Sequence, residues 1–169
     1  MAEPVVIVAY DPAWPVLFQR LRAPIVGSLG ALAISVEHVG STAVPGLAAK
    51  PVIDLDVLTP SRAEVPAVIE RLATLGYLHS GDQGIRGREA FAPPPQLPLH
   101  HLYVCAQGNR EYQRHIAFRD HLRSHPQDAW AYAALKRSAA CRFRDDRVAY
   151  TEAKTEFIAE ILRRAQGKR

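Results

Sequence analysis

The stretch that decides the fold of this chain runs from His38 to Asp56 and reads HVGSTAVPGLAAKPVIDLD. It ends in an apolar strand pattern that carries Asp54 and Asp56 two positions apart. Successive side chains of a strand point to opposite faces, so both carboxylates are expected on one face. Mg²⁺ prefers oxygen ligands and combines one or two protein carboxylates with substrate phosphates. The pattern therefore predicts a catalytic Mg²⁺ (or Mn²⁺) site on Asp54 and Asp56. Two solvent-facing acids at a strand end are the alternative.

A Gly-Ser turn precedes that strand. Gly40 and Ser41 follow an apolar stretch that ends at Val39, so a strand is expected to end there and the chain to turn. Glycine lets the backbone approach a ligand closely, and backbone N–H groups in such a turn form an anion-binding concavity. The hydroxyl groups of Ser41 and Thr42 add donors. The turn from Gly40 to Thr42 is thus predicted to bind phosphate oxygens.

The order of strand, Gly-Ser turn, loop and Asp-x-Asp strand resembles the polymerase-beta-like nucleotidyltransferase superfamily. The longer run VEHVGSTAVPGLAAKPVIDLDV, residues 36–57, is similar to the signature of the GrpB family. Further segments resemble that family in the same order along the chain: YDPAWPVLF (10–18), HHLYV (100–104), RHIAFRDHLRSHP (114–126), YAALK (132–136) and DDRVAYTEAKTEFI (145–158). The resemblance implies a nucleotidyltransferase fold and site geometry. It implies no reaction, although in some bacteria a similar domain is fused to dephospho-CoA kinase.

The 169 residues are enough for one domain with a sizeable core. Strands interleaved with helices, followed by a run of helices from Asn109, predict an α/β (α+β) fold. We expect a mixed, nucleotidyltransferase-like sheet with flanking helices in residues 1–106 and a C-terminal helical lobe in residues 107–169. We also expect three local features: a short edge strand at Pro4–Val8, a first helix with a kink or end at Pro24, and a hairpin with a long tip over 81–98.

Composition and charge narrow the class of protein. No apolar run approaches the ~20 residues of a membrane span, and the start lacks the pattern of a secretory signal. The two cysteines have no metal-ligand or disulfide spacing, which favours reduced thiols in a cytoplasmic protein. Residues 1–104 carry a net charge of −2 and residues 105–169 a net charge of +6. A basic lobe facing a carboxylate-bearing lobe suits a polyanionic substrate; solvated helix faces are the alternative.

Many nucleotidyltransferases use a third carboxylate on a neighbouring strand, and none is evident here. The strand pattern from Leu99 to Val104 carries His100, His101 and Tyr103 instead. Alternation places His101 and Tyr103 on one face. His101 is therefore a candidate base or metal ligand, with a structural histidine as the alternative. The family pattern has histidine where this chain has Tyr103, so the chain departs from it there.

Five basic residues are candidates for substrate binding. Lys50 lies directly before the aspartate strand, and Arg88 in the expected hairpin offers a guanidinium group that matches phosphate bidentately. Lys136, Arg142 and Lys154 lie in segments that resemble the GrpB family and are expected to line the cleft from the basic side. Ordinary surface positions are the alternative for each. The helical region also contains charged residues at spacings typical of intrahelical ion pairs: Glu111, Arg114, His115, Arg119 and Asp120.

Two functions of different classes remain open. The first is Mg²⁺-dependent transfer of a nucleotidyl group from a nucleoside triphosphate to an unknown acceptor. The second is a non-catalytic module that binds a nucleotide or coenzyme A precursor, and the missing third acid favours it. Nucleic-acid binding rests only on the isoelectric point near 9.3, because no known motif accompanies the scattered arginines.

Overall fold

The computed structural model describes residues 4–167 and contains one five-stranded mixed sheet in the order β1-β2-β5-β4-β3. The strands are β1 (Ser35–Val39), β2 (Ile53–Thr59), β3 (Leu78–His79), β4 (Arg88–Ala92) and β5 (His100–Ala106). The helices are α1 (Trp14–Leu29), α2 (Val65–Thr74), α3 (Arg110–Ser124), α4 (Pro126–Arg142), α5 (Arg147–Glu152) and α6 (Thr155–Gln166). β2 and β5 are parallel, and all other neighbouring strands are antiparallel. The predicted mixed α/β fold with C-terminal helices is confirmed.

Strand β2, which lies between β1 and β5 in the sheet, has two different faces. Its residues Ile53, Leu55 and Val57 are fully buried and point into the main core, which α1 and α2 cover. Their branched side chains suit a pleated surface that packs against helices. This face anchors the sheet, and the aspartates necessarily lie on the other one.

The second face of the sheet is polar and is crossed by α3. In the strand register, Asp56 lies between Glu37 of β1 and Tyr103 of β5. Arg119 of α3 donates from Nη1 to the Glu37 carboxylate over 2.9 Å. The hydroxyl oxygen of Tyr112, one helical turn before His115, lies 3.4 Å from the hydroxyl oxygen of Ser35 on β1. Helix α3 is therefore fixed to this face by polar contacts as well as by packing.

The loop between Val44 and Lys50 joins the sheet to the helical lobe. Leu47 is buried in a second core with Leu122, Ala129, Tyr132 and Ala133 from α3 and α4. The carbonyl of Ala48 accepts a hydrogen bond from the Lys136 ammonium group. The conformation of this loop therefore sets where the helical lobe stands relative to β2.

Three local expectations need correction. Residues 4–8 form no strand, because only Val8 pairs, through an isolated bridge to Ala49. Helix α1 does not end at Pro24: it runs from Trp14 to Leu29, because Leu21, Ile25 and Leu29 are buried on either side of this exposed proline. The hairpin is formed by β3 and β4, and the three prolines at 93–95 lie in the connection from β4 to β5.

None of the helices described over residues 4–167 is long and apolar enough to cross a membrane. Cys105 is buried and Cys141 is exposed, and both are free thiols. Burial raises the pKa of the Cys105 thiol to about 12, so this cysteine is a packing residue of β5.

We expect Leu102→Ala to lower the free energy of unfolding by about 2–5 kcal/mol, because Leu102 is fully buried on the core face of β5. Leu99→Ala is the matched control, since Leu99 precedes the same strand and is 56% exposed. Urea unfolding of both variants checks this. Equal losses in the two variants would contradict the assignment of the core face.

Candidate functional site

Each aspartate of β2 is held by a histidine from a different element. His101 lies beside Asp54 in the parallel register of β2 and β5, and its Nδ1 is 2.7 Å from Asp54 Oδ1. His115 of α3 approaches from above the sheet, with Nδ1 2.6 Å from Asp56 Oδ2. Asp54 and Asp56 lie on one face of β2, as the alternation predicts, and His101 lies on the same side of the sheet, which the sequence had left open. His115 joins them from α3.

Asp56 is the most buried member of this group. Its side chain is fully inaccessible, and Oδ1 has no hydrogen-bond partner among the described residues. Burial raises the pKa of Asp56, against the hydrogen bond and charge of His115. Although burial lowers the pKa of His115, the hydrogen bond and charge of Asp56 outweigh it and the pKa is raised. Both shifts mean that the pair retains protons more strongly than the separate groups would.

The two carboxylates fit a divalent cation only in part. Each keeps one oxygen that its histidine does not engage, and Oδ1 of Asp56 is a buried polar atom of the kind that a cation would satisfy. Over residues 4–167, no three His, Cys, Asp or Glu side chains group in a way that could hold a metal. Substrate or water oxygens would have to supply the remaining ligands, as is usual for Mg²⁺.

The Gly-Ser turn lies directly against Asp54. Gly40 has φ +72°, and a Cβ placed on it would clash with the Asp54 carboxylate, so glycine is required there. The Thr42 hydroxyl is buried and bonds to His38 Nε2 over 2.9 Å and to the Val52 carbonyl over 3.3 Å. That hydroxyl thus holds the turn to the start of β2 and is not free to serve as the predicted phosphate donor.

Three lysines surround the turn. Lys50, Lys136 and Lys154 line one cavity of about 230 Å³, together with Gly40, Ser41, Thr42, Asp54 and His101. Burial lowers the pKa of Lys136 to about 7, with Lys154 and Arg137 adding to the effect. Burial also lowers the pKa of Lys154 to about 8, and Lys50 adds to it. The pKa of Lys50 is lowered by burial and by Arg147, against the opposite effect of Asp54.

These shifts describe a site with crowded positive charge. Lys50 and Lys154 both approach the Tyr150 ring, at 5.5 and 4.1 Å from its centroid. Lys136 lies 4.6 Å from the Tyr132 ring centroid. An anion in the cavity would offset the repulsion among the ammonium groups and their desolvation. We call this cavity the lysine pocket.

Two predicted substrate-binding residues are not brought to the lysine pocket. Arg88 is not in the loop of the hairpin but on β4, nearly buried, with its guanidinium 4.2 Å from the Tyr103 ring centroid. Arg142 ends α4, is exposed, and lies over the Phe143 ring. Neither lines the cavity, because β4 is the second strand from β2 and Arg142 lies nearly two helical turns beyond Lys136.

The main residue that sequence reasoning missed is His115. Its i, i+4 spacing to Glu111 suggested an intrahelical pair, and that contact exists at 3.5 Å, but the shorter contact is to Asp56. Arg119 likewise contacts Asp120 and also reaches across to Glu37. No spacing signal could reveal these partners, because α3 follows β2 by some 50 residues. Tyr132 of α4, which packs edge-on against Phe118, also lines the pocket.

Comparison with known proteins identifies the family of this chain. Residues 4–164 match the pattern of the family described as GrpB protein. The chain belongs to the GrpB family. The crystal structure of conserved protein GrpB from Enterococcus faecalis is 33% identical, with a TM-score of 0.87 over 96% of this chain and 98% of that one.

Curated relatives are longer than this chain. UPF0157 protein YqkA of Bacillus subtilis is 35% identical over 90% of this chain and 44% of its own length. UPF0157 protein PA4798 of Pseudomonas aeruginosa is 40% identical over 92% of this chain and 65% of its own length. The chain thus spans about half to two thirds of these two relatives.

A more distant relative carries a functional name. The dephospho-CoA kinase of Mycolicibacterium paratuberculosis is 30% identical over 96% of this chain and 46% of its own length. Cid1 in complex with the UTP analog UMPNPP has a TM-score of only 0.43 at 14% identity, a likeness too weak to bear on fold or function.

We expect the affinity of the lysine pocket for inorganic tripolyphosphate to fall as the pH rises from 6 to 9. The reason is that Lys136 and Lys154, with pKa values near 7 and 8, lose their charge over this range. In Lys154→Arg the charge persists, so the affinity should fall less steeply between pH 7 and 9. Calorimetric titration of both proteins measures this, and the protonation of tripolyphosphate itself cancels in the comparison. Parallel curves would contradict a titrating Lys154 at the anion site.

Proposed function

We propose that this GrpB chain binds a nucleoside triphosphate, or a closely related phosphorylated small molecule, and transfers a nucleotidyl group from it in a Mg²⁺-dependent reaction. One observation carries the proposal: a single pocket brings together the Asp54 carboxylate, the Gly40–Thr42 turn and three lysines. Phosphoryl-transfer sites need such positive groups because catalysis there is mainly positioning and charge stabilisation.

The residues take distinct roles in this proposal. Asp54 and Asp56 would hold Mg²⁺, which when bound neutralises charge on phosphate oxygens. Lys50, Lys136 and Lys154 bind the phosphates and offset the negative charge that develops on the leaving pyrophosphate. The backbone of the Gly40 turn lies against Asp54, so phosphate oxygens can come close to the carboxylate without a side chain intervening.

His101 has a role that its hydrogen bond defines. Nδ1–H donates to Asp54, so the neutral ring leaves Nε2 as a proton acceptor, and the His101 side chain is 41% exposed. His101 can therefore accept the proton of an attacking hydroxyl group at Nε2. This gives the site a base although β5 carries no carboxylate.

The non-catalytic alternative is supported by two observations. Asp56 is completely buried and already bonded, which leaves Asp54 as the only one of the two aspartates that faces the lysine pocket. A homologous region is also present in a protein named dephospho-CoA kinase. In this alternative, the pocket binds the phosphates of a nucleotide or coenzyme A precursor and serves an attached or partner enzyme.

We expect Asp54→Asn to lower Mg²⁺-dependent release of pyrophosphate from nucleoside triphosphates by a factor on the order of 10²–10³, because the carboxylate facing the pocket loses its charge. Asp145→Asn, the same change at an exposed position, should leave the rate unchanged. Pyrophosphate release measured over the four common nucleoside triphosphates and a panel of hydroxyl-bearing acceptors provides the readout.

Turnover and thermal stability, measured on the same proteins, separate the two functions. Turnover that survives Asp54→Asn unchanged would overturn the enzymatic assignment. Thermal stabilisation by nucleotides, with no turnover in the unchanged protein, would support the binding module, because a ligand that binds only the folded state raises stability by mass action.

A further inference from the structure

A second cavity adjoins the lysine pocket and has a different chemical character. It measures about 220 Å³ and lies between α3, α6 and the Gly40–Ser41 turn. Its apolar wall consists of Phe118 from α3 with Ile158 and Leu162 from α6. We call it the α3/α6 cavity.

The two cavities share one wall. Gly40, Ser41 and Tyr132 line both of them. Tyr132 is buried, with 4% of its surface exposed, and its ring packs against Phe118 of α3 and Phe157 of α6. A molecule that reaches past the Gly40–Ser41 turn would therefore occupy both spaces at once.

The α3/α6 cavity also has a polar end. Glu111 and His115 line it with side chains that are 20% and 26% exposed, and Arg114 is 48% exposed at its mouth. Arg114 Nη1 lies 3.3 Å from Glu111 Oε2, and this ion pair leaves further carboxylate lone pairs and guanidinium N–H groups for a ligand. An apolar wall with a few polar groups at one end is the usual composition of a site for an organic ligand.

We propose that the α3/α6 cavity binds the organic half of the ligand whose phosphates occupy the lysine pocket, and that this half is a ring-bearing, amphipathic group such as a nucleobase with its sugar. The inference rests on the proposed function. In this arrangement a single ligand spans both cavities. Its polyanionic part contacts Lys50, Lys136 and Lys154, and its ring packs against Phe118 and Ile158. The donor and acceptor atoms of the ring edge face Glu111 and Arg114.

The test compares inorganic tripolyphosphate, which can fill only the lysine pocket, with the triphosphates of adenosine, guanosine, cytidine and uridine in the same Mg²⁺ buffer. Calorimetric titration is expected to show at least one nucleoside triphosphate binding about tenfold or more tightly than tripolyphosphate. Ile158→Phe fills the cavity and should remove this preference while tripolyphosphate binding stays the same. Val148→Trp is the control, because it adds bulk at a position that is 67% exposed and lines neither cavity.

A second variant keeps the test decisive if Ile158→Phe does not fold. Glu111→Gln adds no bulk and should also reduce the preference for the nucleoside triphosphate over tripolyphosphate. Equal affinity of the unchanged protein for tripolyphosphate and all four nucleotides would overturn the organic subsite while leaving the lysine pocket as an anion site. Failure of tripolyphosphate and every nucleotide to bind would overturn the proposed function itself. Preference retained in both folded variants would also overturn the subsite.

Discussion

Two carboxylates on β2, an interior strand of the sheet, are the constraint on which the rest of this structure depends. A charged group removed from water is costly unless it is paired and hydrogen-bonded. Asp56 is fully inaccessible, and its compensation comes from His115, at 2.6 Å, on a helix that follows some 50 residues later. The sheet can thus bury its polar face only when α3 crosses it.

This requirement explains why α3 differs from an ordinary surface helix. Its buried residues include Arg119 and His121, and its contacts to the sheet are largely polar. Arg119 reaches the Glu37 carboxylate and the His38 carbonyl, both on β1. The helix therefore closes one side of the site through charge and hydrogen bonding, while α1 and α2 stabilise the opposite face of the sheet through apolar burial.

The lysines on the other side of the site pose the opposite electrostatic problem. Lys136 is almost fully buried, its ammonium group bonds to a backbone carbonyl, and Lys154 lowers its pKa further. A polypeptide gains little stability from such an arrangement, because desolvation of the ammonium group is not repaid by an opposite charge. The desolvation of Lys136 is explained if the pocket binds an anion. The adjoining cavity, with its apolar wall, can then accommodate an organic group attached to that anion.

The sequence by itself determined most of the helix and strand pattern and part of the candidate site. Alternation in β2 predicts that Asp54 and Asp56 share one face, the Gly-Ser pair predicts a turn at Gly40, and Lys50, Lys136 and Lys154 are predicted to bind substrate; all three line the pocket. Only the tertiary structure decided that His115 contacts Asp56, that the Thr42 hydroxyl is occupied by the fold, and that Arg88 and Arg142 lie outside the pocket. The physical reason is that periodicity reports which face a residue occupies on its own element. Which element that face meets depends on how the Val44–Lys50 loop and the polar contacts of α3 dock the helical lobe onto the sheet.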